Sequence, residues 1–303
     1  NFFFILMETL TNKRIKTMIT ILNGNALDKL KEIDDNSIQC VVTSPPYWGL
    51  RNYEDINQLG LEDSPEQYVN NLLKIFKQVK RVLKDDGVVW LNLGDCYASR
   101  RPMGTSDNRL IRYSKKEKEI NHTANKKNKL VGKLKVKDLV GIPWRVAFAL
   151  QDDGWYLRQD IIWQKTNISP ESVLDRCTRS HEYIFMLTKK PKYYYNNEAI
   201  KENSTTLNEK RNRRDVWTIS TSRFNGSHFA TFPIEIPNIC IKASTKEGDV
   251  VLDMFAGAGT TGLSADRLNR NAILIELNKD YAEIMYNRLK NDCPMFTQIR
   301  KDF

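Results

Sequence analysis

Two short apolar runs, one near each end of the chain, stop abruptly in turns that constrain the fold more than any other feature. Ser37-Ile38-Gln39-Cys40-Val41-Val42 runs into Thr43-Ser44-Pro45-Pro46-Tyr47-Trp48. Asp249-Val250-Val251-Leu252-Asp253-Met254 runs into Phe255-Ala256-Gly257-Ala258-Gly259-Thr260-Thr261-Gly262. Apolar β-branched runs of this length, bounded by Pro or Gly, are the pattern of buried parallel strands. Around them the spacing predicts helices over 66–83, 139–150, 261–268 and 280–289, and strands over 87–93, 156–163, 182–187 and 272–276. The strand over 87–93 is expected to follow a turn at Asp85-Asp86-Gly87. Such alternation predicts an α/β fold, a mostly parallel sheet with helices on both faces.

The second turn matches G-x-G-x-x-G after a strand and before a helix, and Glu276 ends the next strand. Glycines let the backbone approach a nucleoside, and a carboxylate accepts ribose hydroxyls. A nicotinamide or flavin oxidoreductase therefore competes, as does a glycine turn that holds nothing. Position weighs against the dinucleotide: a fold starting at this loop needs several further βα units, and only about forty residues remain.

The first turn is more specific. Two prolines fix φ and remove two backbone donors, leaving the carbonyls of Ser44 and Pro45 with fewer local partners. A hydroxyl, a carbonyl and an aromatic ring in rigid relation suit a planar, amino-bearing ring. Ser44 and the Pro45 carbonyl accept from its NH₂, and Tyr47 stacks on its face. A Pro-Pro turn with a packing tyrosine is the plainer alternative. Both turns end parallel strands, so both are expected to open on one edge of the sheet.

Charge points the same way. The net charge is +10, and between Arg100 and Lys137 thirteen Lys/Arg stand against three Asp/Glu, an excess that equals the whole. A localised basic patch suits a polyanion such as nucleic acid. A second cluster lies at Lys210, Arg211, Arg213 and Arg214. Five scattered cysteines suggest neither a disulfide framework nor a metal site, and a cytoplasmic setting is expected. The apolar run over 2–6 is too short to span a bilayer, so no membrane association is expected. Trp144, Trp163 and Trp217 are expected in the core, and His181 and His228 read equally as structural or site residues.

SPPY followed by FAGAGTT resembles the β-class DNA amino-methyltransferases of restriction-modification and orphan systems, in which the catalytic motif precedes the cofactor motif. The resemblance runs from about Ile19 to Leu289. It implies a Rossmann-like S-adenosyl-L-methionine (AdoMet)-dependent methyltransferase fold in permuted order. A catalytic domain over 19–290 is expected, with an extension over 1–18, a basic insertion over 100–137 and a target-recognition segment over 191–227. By the same resemblance Ser44, Pro45, Pro46 and Tyr47 are catalytic. Asp253, Phe255, Gly257, Gly259 and Thr260 wrap the methionine part of AdoMet, Glu276 holds the ribose, and Phe232, in His228-Phe229-Ala230-Thr231-Phe232-Pro233, belongs to a segment closing over the cofactor. Asn25 stands where the family often has an Asp that contacts adenine, and His181-Glu182 is a weaker match.

The expected substrate is double-stranded DNA, contacted by Arg100, Arg101, Arg211, Arg213 and Arg214, with the target base flipped out. Ser rather than Asp at the first motif position favours cytosine N4 over adenine N6. A cognate endonuclease and a monomeric or homodimeric state are expected by the same analogy. An AdoMet enzyme acting on RNA or a protein amide, and a catalytically silent DNA-binding module, remain alternatives.

Overall fold

The computed structural model describes residues 16–50, 58–99, 132–168, 170–204, 209–221, 232–293 and 297–302. Arg100 and Arg101, most of the basic insertion and His228 to Thr231 lie outside them.

Nine strands form one sheet in the order β11-β1-β10-β9-β2-β3-β5-β4-β8. They are β1 (Met18–Asn23), β2 (Ile38–Thr43), β3 (Leu83–Leu93), β4 (Tyr156–Gln164), β5 (His181–Thr188), β8 (Val216–Thr218), β9 (Val250–Asp253), β10 (Asn271–Glu276) and β11 (Gln298–Asp302). β5 pairs antiparallel with both β3 and β4, and every other pairing in this sheet is parallel. A separate two-stranded ribbon joins β6 (Glu202–Asn203) to β7 (Lys210–Arg211).

Alternation along the strands divides the core in two. In β3, Val89, Leu91 and Leu93 face one cluster, and Val88 and Trp90 face the other. The first is covered by α1 (Ala26–Leu30), α2 (Pro65–Val82) and α3 (Ile142–Asp152); the second by α4 (Glu235–Ser244), α5 (Thr260–Arg267) and α6 (Lys279–Asp292). The expected mostly parallel α/β sheet with helices on both faces is what the chain forms.

Local chemistry sets the ends of these elements. Ser64 caps α2 by accepting from the Gln67 amide, and Pro65 opens the helix where a missing donor costs nothing. The helix expected over 139–150 starts at Ile142 instead. Leu139 is held in a bridge with Tyr97, while the Asp95 carboxylate accepts from the Gly141 and Ile142 amides and fixes the helix start. The strand expected over 87–93 begins at Leu83. A register shift between Ile38 and Cys40 of β2 absorbs the Asp85-Asp86 pair that looked like a turn.

Tyr193 to Tyr195 form no strand. The Tyr194 amide donates to Asp86 and the Asn196 amide to Ala243, so these tyrosines sit at the edge where β3 begins and α4 ends.

Gly259 caps α5 at φ +76°, and a Cβ there would stand 2.6 Å from Met285 Cγ on α6. Gly259→Ala is expected to cost about 2 kcal/mol or more, combining left-handed strain with overpacking. It should lower the thermal unfolding midpoint, and an unchanged midpoint would contradict this packing.

Candidate active site

β2 and β9 are adjacent and parallel, with Val41 opposite Leu252, so the turns that follow them emerge side by side. β1 and β10 end level with each other, Asn23 opposite Glu276, and β5 starts opposite the end of β3, Tyr183 against Leu93. One edge of the sheet therefore gathers Ser44, the 255–260 loop, Glu276, Asn25, Asn92, Glu182 and, at the end of β4, Lys165. This is where the carboxyl ends of parallel strands open a crevice.

Asp253 ties the two turns together. Its carboxylate accepts from Thr43 Oγ1 at 2.8 Å, Thr261 Oγ1 at 2.7 Å and the Phe255 amide at 3.1 Å. The side chain is buried, and burial pushes its pKa up to about 6 against the lowering effect of those donors. Asp253 thus shapes the loop from beneath.

Above it, Gly257 takes φ +52° with no heavy atom within 4 Å of where a Cβ would stand, so the backbone there is open to close approach. Glu276 braces this opening, accepting from the Gly257 amide at 2.8 Å and the Asn278 amide at 3.0 Å. Burial raises its pKa, and the charge of Asp253 adds to the rise. Each oxygen keeps lone-pair capacity for hydroxyl donors. A left-handed, uncovered glycine beside a carboxylate fits a ribose-bearing ligand.

Of the other residues expected to hold cofactor, Phe255 and Phe232 are partly buried against the core clusters. Thr260 is buried, with its hydroxyl accepting from Arg288 at 3.0 Å. Asn25 has a local duty: its Oδ1 accepts from the Leu27 amide at 2.9 Å and caps α1.

The SPPY turn is held from several sides. Tyr68 donates to the Pro46 carbonyl at 2.8 Å, and Trp48, fully buried, donates to Glu62. The Tyr47 ring lies against Gly94, where a Cβ would come within 2.6 Å of Cε2. Ser44 Oγ donates to Tyr47 Oη at 3.2 Å, and Tyr47 Oη lies 2.7 Å from Glu182 Oε2 and 3.1 Å from Asn92 Oδ1. Asn92 Nδ2 donates to Glu182 Oε2 and to the Tyr183 carbonyl, both at 3.1 Å. Lys165 pairs with the other Glu182 oxygen. Burial first, then the charge of Glu182, raises the Tyr47 pKa well above the ordinary phenol, so it stays a neutral donor.

Asn92, Glu182 and Lys165 are the residues sequence reasoning undervalued or missed; only Glu182 stood in a recognised pair. The loop joining β4 to β5 at this edge was also missed. It is braced by Arg176–Glu171 at 2.7 Å, Lys137–Asp175, the Arg176 guanidinium 4.0 Å from the Tyr97 ring centre, and Arg179 on the Asp95 carbonyl. Of the second basic cluster, Arg211 pairs with Glu202 at 3.0 Å, Arg213 donates to the Ile200 carbonyl, and Arg214 is exposed.

Among the described residues no helix is long and apolar enough to cross a membrane.

Comparison with known proteins agrees with this geometry. Residues 38–287 match the N6_N4_Mtase family, DNA methylase. The type II methyltransferase M.Cfr9I of Citrobacter freundii is 51% identical over 273 residues, which cover 90% of this chain and 88% of that protein. M.SmaI of Serratia marcescens is 48% identical over 270 residues, covering 89% and 90%. The same fold occurs in PvuII DNA methyltransferase (cytosine-N4-specific), with a TM-score of 0.65 at 21% identity over 91% of this chain and 89% of that one. It also occurs in a DNA modification methylase of Thermus thermophilus, TTHA0409, complexed with S-adenosyl-L-methionine, with a TM-score of 0.62 at 24% identity over 94% and 98%. With the family matched over most of its length and its sheet edge carrying that family's two turns, this chain belongs to the N6/N4 DNA methylases and is a DNA amino-methyltransferase of the type II kind.

Proposed function

We propose that this chain methylates the exocyclic N4 of a cytosine flipped out of double-stranded DNA, using S-adenosyl-L-methionine bound at the 255–260 loop and Glu276. The observation that carries the proposal is the adjacency of the two turns, tied through Asp253. A base held over Ser44 and a nucleoside held by Glu276 would then share one crevice. The PvuII and TTHA0409 enzymes, one cytosine-N4-specific and the other bound to S-adenosyl-L-methionine, lend support by analogy of fold.

Bound AdoMet would supply an electrophilic methyl group, and everything else falls to the chain. The amino lone pair of cytosine is delocalised into the ring and is a poor nucleophile. Ser44 Oγ and the Pro45 carbonyl, accepting from its two N–H bonds, favour a pyramidal nitrogen whose lone pair is available. The rigid turn holds that nitrogen in line, and orientation of this kind supplies much of the acceleration. Glu276, through ribose hydroxyls, and the open backbone at Gly257 fix the other partner. Asp253, Phe255, Gly259 and Thr260 shape that loop, and Phe232 and Asn25 flank it. The N4 assignment follows from Ser, rather than Asp, at the first motif position; adenine N6 is the second reading.

We further propose that the basic insertion, with Arg100 and Arg101, and Arg214 with its neighbours Arg211 and Arg213 contact the DNA backbone. A cognate endonuclease, a monomeric or homodimeric state and a cytoplasmic setting complete the proposal. Removing the insertion should reduce the slope of log K against log salt by about 0.9 for each phosphate it neutralises. An unchanged slope would show that the insertion does not touch DNA. The function itself is tested by transfer of tritiated methyl from AdoMet: label is expected in duplex DNA and absent from RNA and protein acceptors. The reverse pattern would overturn the reading.

A further inference from the structure

We infer that Glu182 is a positioning residue. It fixes the direction of a hydrogen-bond chain so that Ser44 meets the target base as an acceptor, and thereby selects an amino-bearing base over its keto counterpart. The inference rests on the proposed cytosine-N4 reading.

A hydroxyl can donate or accept, so a serine facing a base does not by itself distinguish an amino group from a carbonyl. The partners of Ser44 remove that freedom. Tyr47 Oη carries one proton, and on its sheet side it meets two acceptors, Glu182 Oε2 at 2.7 Å and Asn92 Oδ1 at 3.1 Å. The amide direction of Asn92 is set because its Nδ2 donates to the Tyr183 carbonyl and to Glu182. Lys165 occupies the second Glu182 oxygen and holds the carboxylate in place. The phenolic proton therefore points toward the sheet, and toward Ser44 the phenol oxygen can only accept. Ser44 spends its single proton there, at 3.2 Å. What Ser44 Oγ then offers the pocket is lone pairs.

The Pro45 carbonyl beside it is also an acceptor. Cytosine presents an NH₂ donor to such a site, and uracil presents a carbonyl that would be left unpaired. A buried acceptor facing another acceptor costs about 1–3 kcal/mol.

Glu182→Gln breaks the ordering without removing bulk. Lys165 retains the amide oxygen, which turns the NH₂ toward Tyr47 Oη and Asn92 Nδ2. Tyr47 then accepts on its sheet side, and its own proton is free to turn toward Ser44. Ser44 in turn is released to donate into the pocket.

The test uses a duplex carrying the mapped target position opposite an abasic site, so that loss of pairing affects both bases equally. Equilibrium binding is measured with S-adenosylhomocysteine present, for cytosine and for uracil at the target. Wild-type protein is expected to prefer cytosine by on the order of tenfold or more, and Glu182→Gln by no more than about threefold. In steady state, Glu182→Gln should lose kcat while the DNA KM and AdoMet affinity stay within about twofold. A merely structural role would instead lower the melting temperature and weaken AdoMet binding, with the base preference intact. Tyr47→Phe provides the second variant, since it keeps the ring and removes the relay oxygen, and it should show the same loss of preference. Wild-type discrimination in both variants overturns the inference. Wild-type protein that methylates adenine instead would fail the base assignment alone, and adenine against hypoxanthine would then replace the cytosine–uracil pair.

Discussion

Ser44→Ala is expected to lower kcat by on the order of 10²–10³, the cost of removing one acceptor that acts on the reacting group in the transition state. The fold should survive it. The Ser44 side chain bonds to Tyr47, and the turn is held independently by Tyr68 on the Pro46 carbonyl and Trp48 on Glu62. AdoMet affinity, measured by calorimetry, should stay within about twofold, because the cofactor loop is braced by Asp253 and Glu276. Equal losses in turnover and cofactor affinity would mean that Ser44 serves the loop and not the base.

The second large effect belongs to Asp253. Replacing it by Ala strips three donors of their acceptor, namely Thr43, Thr261 and the Phe255 amide. It also leaves a hole under both turns. A loss of about 3 kcal/mol or more is expected, together with weakened AdoMet binding. Asp253→Asn separates charge from shape, since its Oδ1 still serves Thr43 and Phe255 while Thr261 turns toward the Val42 carbonyl, 3.5 Å away.

The sign of the pH dependence follows from the direction in which burial moves this carboxyl. The folded-state pKa, about 6, lies above the unfolded value of 3.8. The stabilisation linked to this proton is complete below the unfolded value and is lost as pH rises through about 6. A difference of that size corresponds to on the order of 3 kcal/mol. Unfolding free energies from denaturant titrations at pH 5 and pH 7.5 should therefore fall more steeply for wild type than for Asp253→Asn. Parallel curves would contradict the burial of an ionisable carboxylate between the turns.

How much of this was legible in the chain follows a physical pattern. β2, β9 and β10 are buried on both faces, so they read as apolar runs, and the turns after them carry unusual residues. α2 announces itself through Ser64-Pro65 and a long apolar stripe. α4 gave no such signal. It lacks a side-chain cap, and Pro237 looks like a breaker; yet Pro237 sits in the first turn, where a missing amide donor has no intrahelical partner to lose. β8 and β11 are short or polar edge strands, ordered by pairing with β4 and β1 and not by their own pattern. Trp217 of β8 is buried as expected, although its flanks are exposed.

Within the site, Ser44, Tyr47 and Glu276 stood out because local spacing betrays a turn or a strand end. Asn92, Lys165 and the working partners of Glu182 did not. Their meaning lies in pairings across β3, β5 and β4, over sequence separations of 90 residues between Asn92 and Glu182 and 135 between Tyr47 and Glu182. Asn25 shows the converse: a motif position whose oxygen is committed to a helix cap.

The central claim is most directly tested by incubating the protein with AdoMet and mixed-sequence duplex DNA, digesting to nucleosides and identifying the methylated product by mass spectrometry. The account predicts N4-methylcytosine. N6-methyladenine would contradict the assigned base, and the absence of any methylated nucleoside while AdoMet is bound would contradict the proposed reaction.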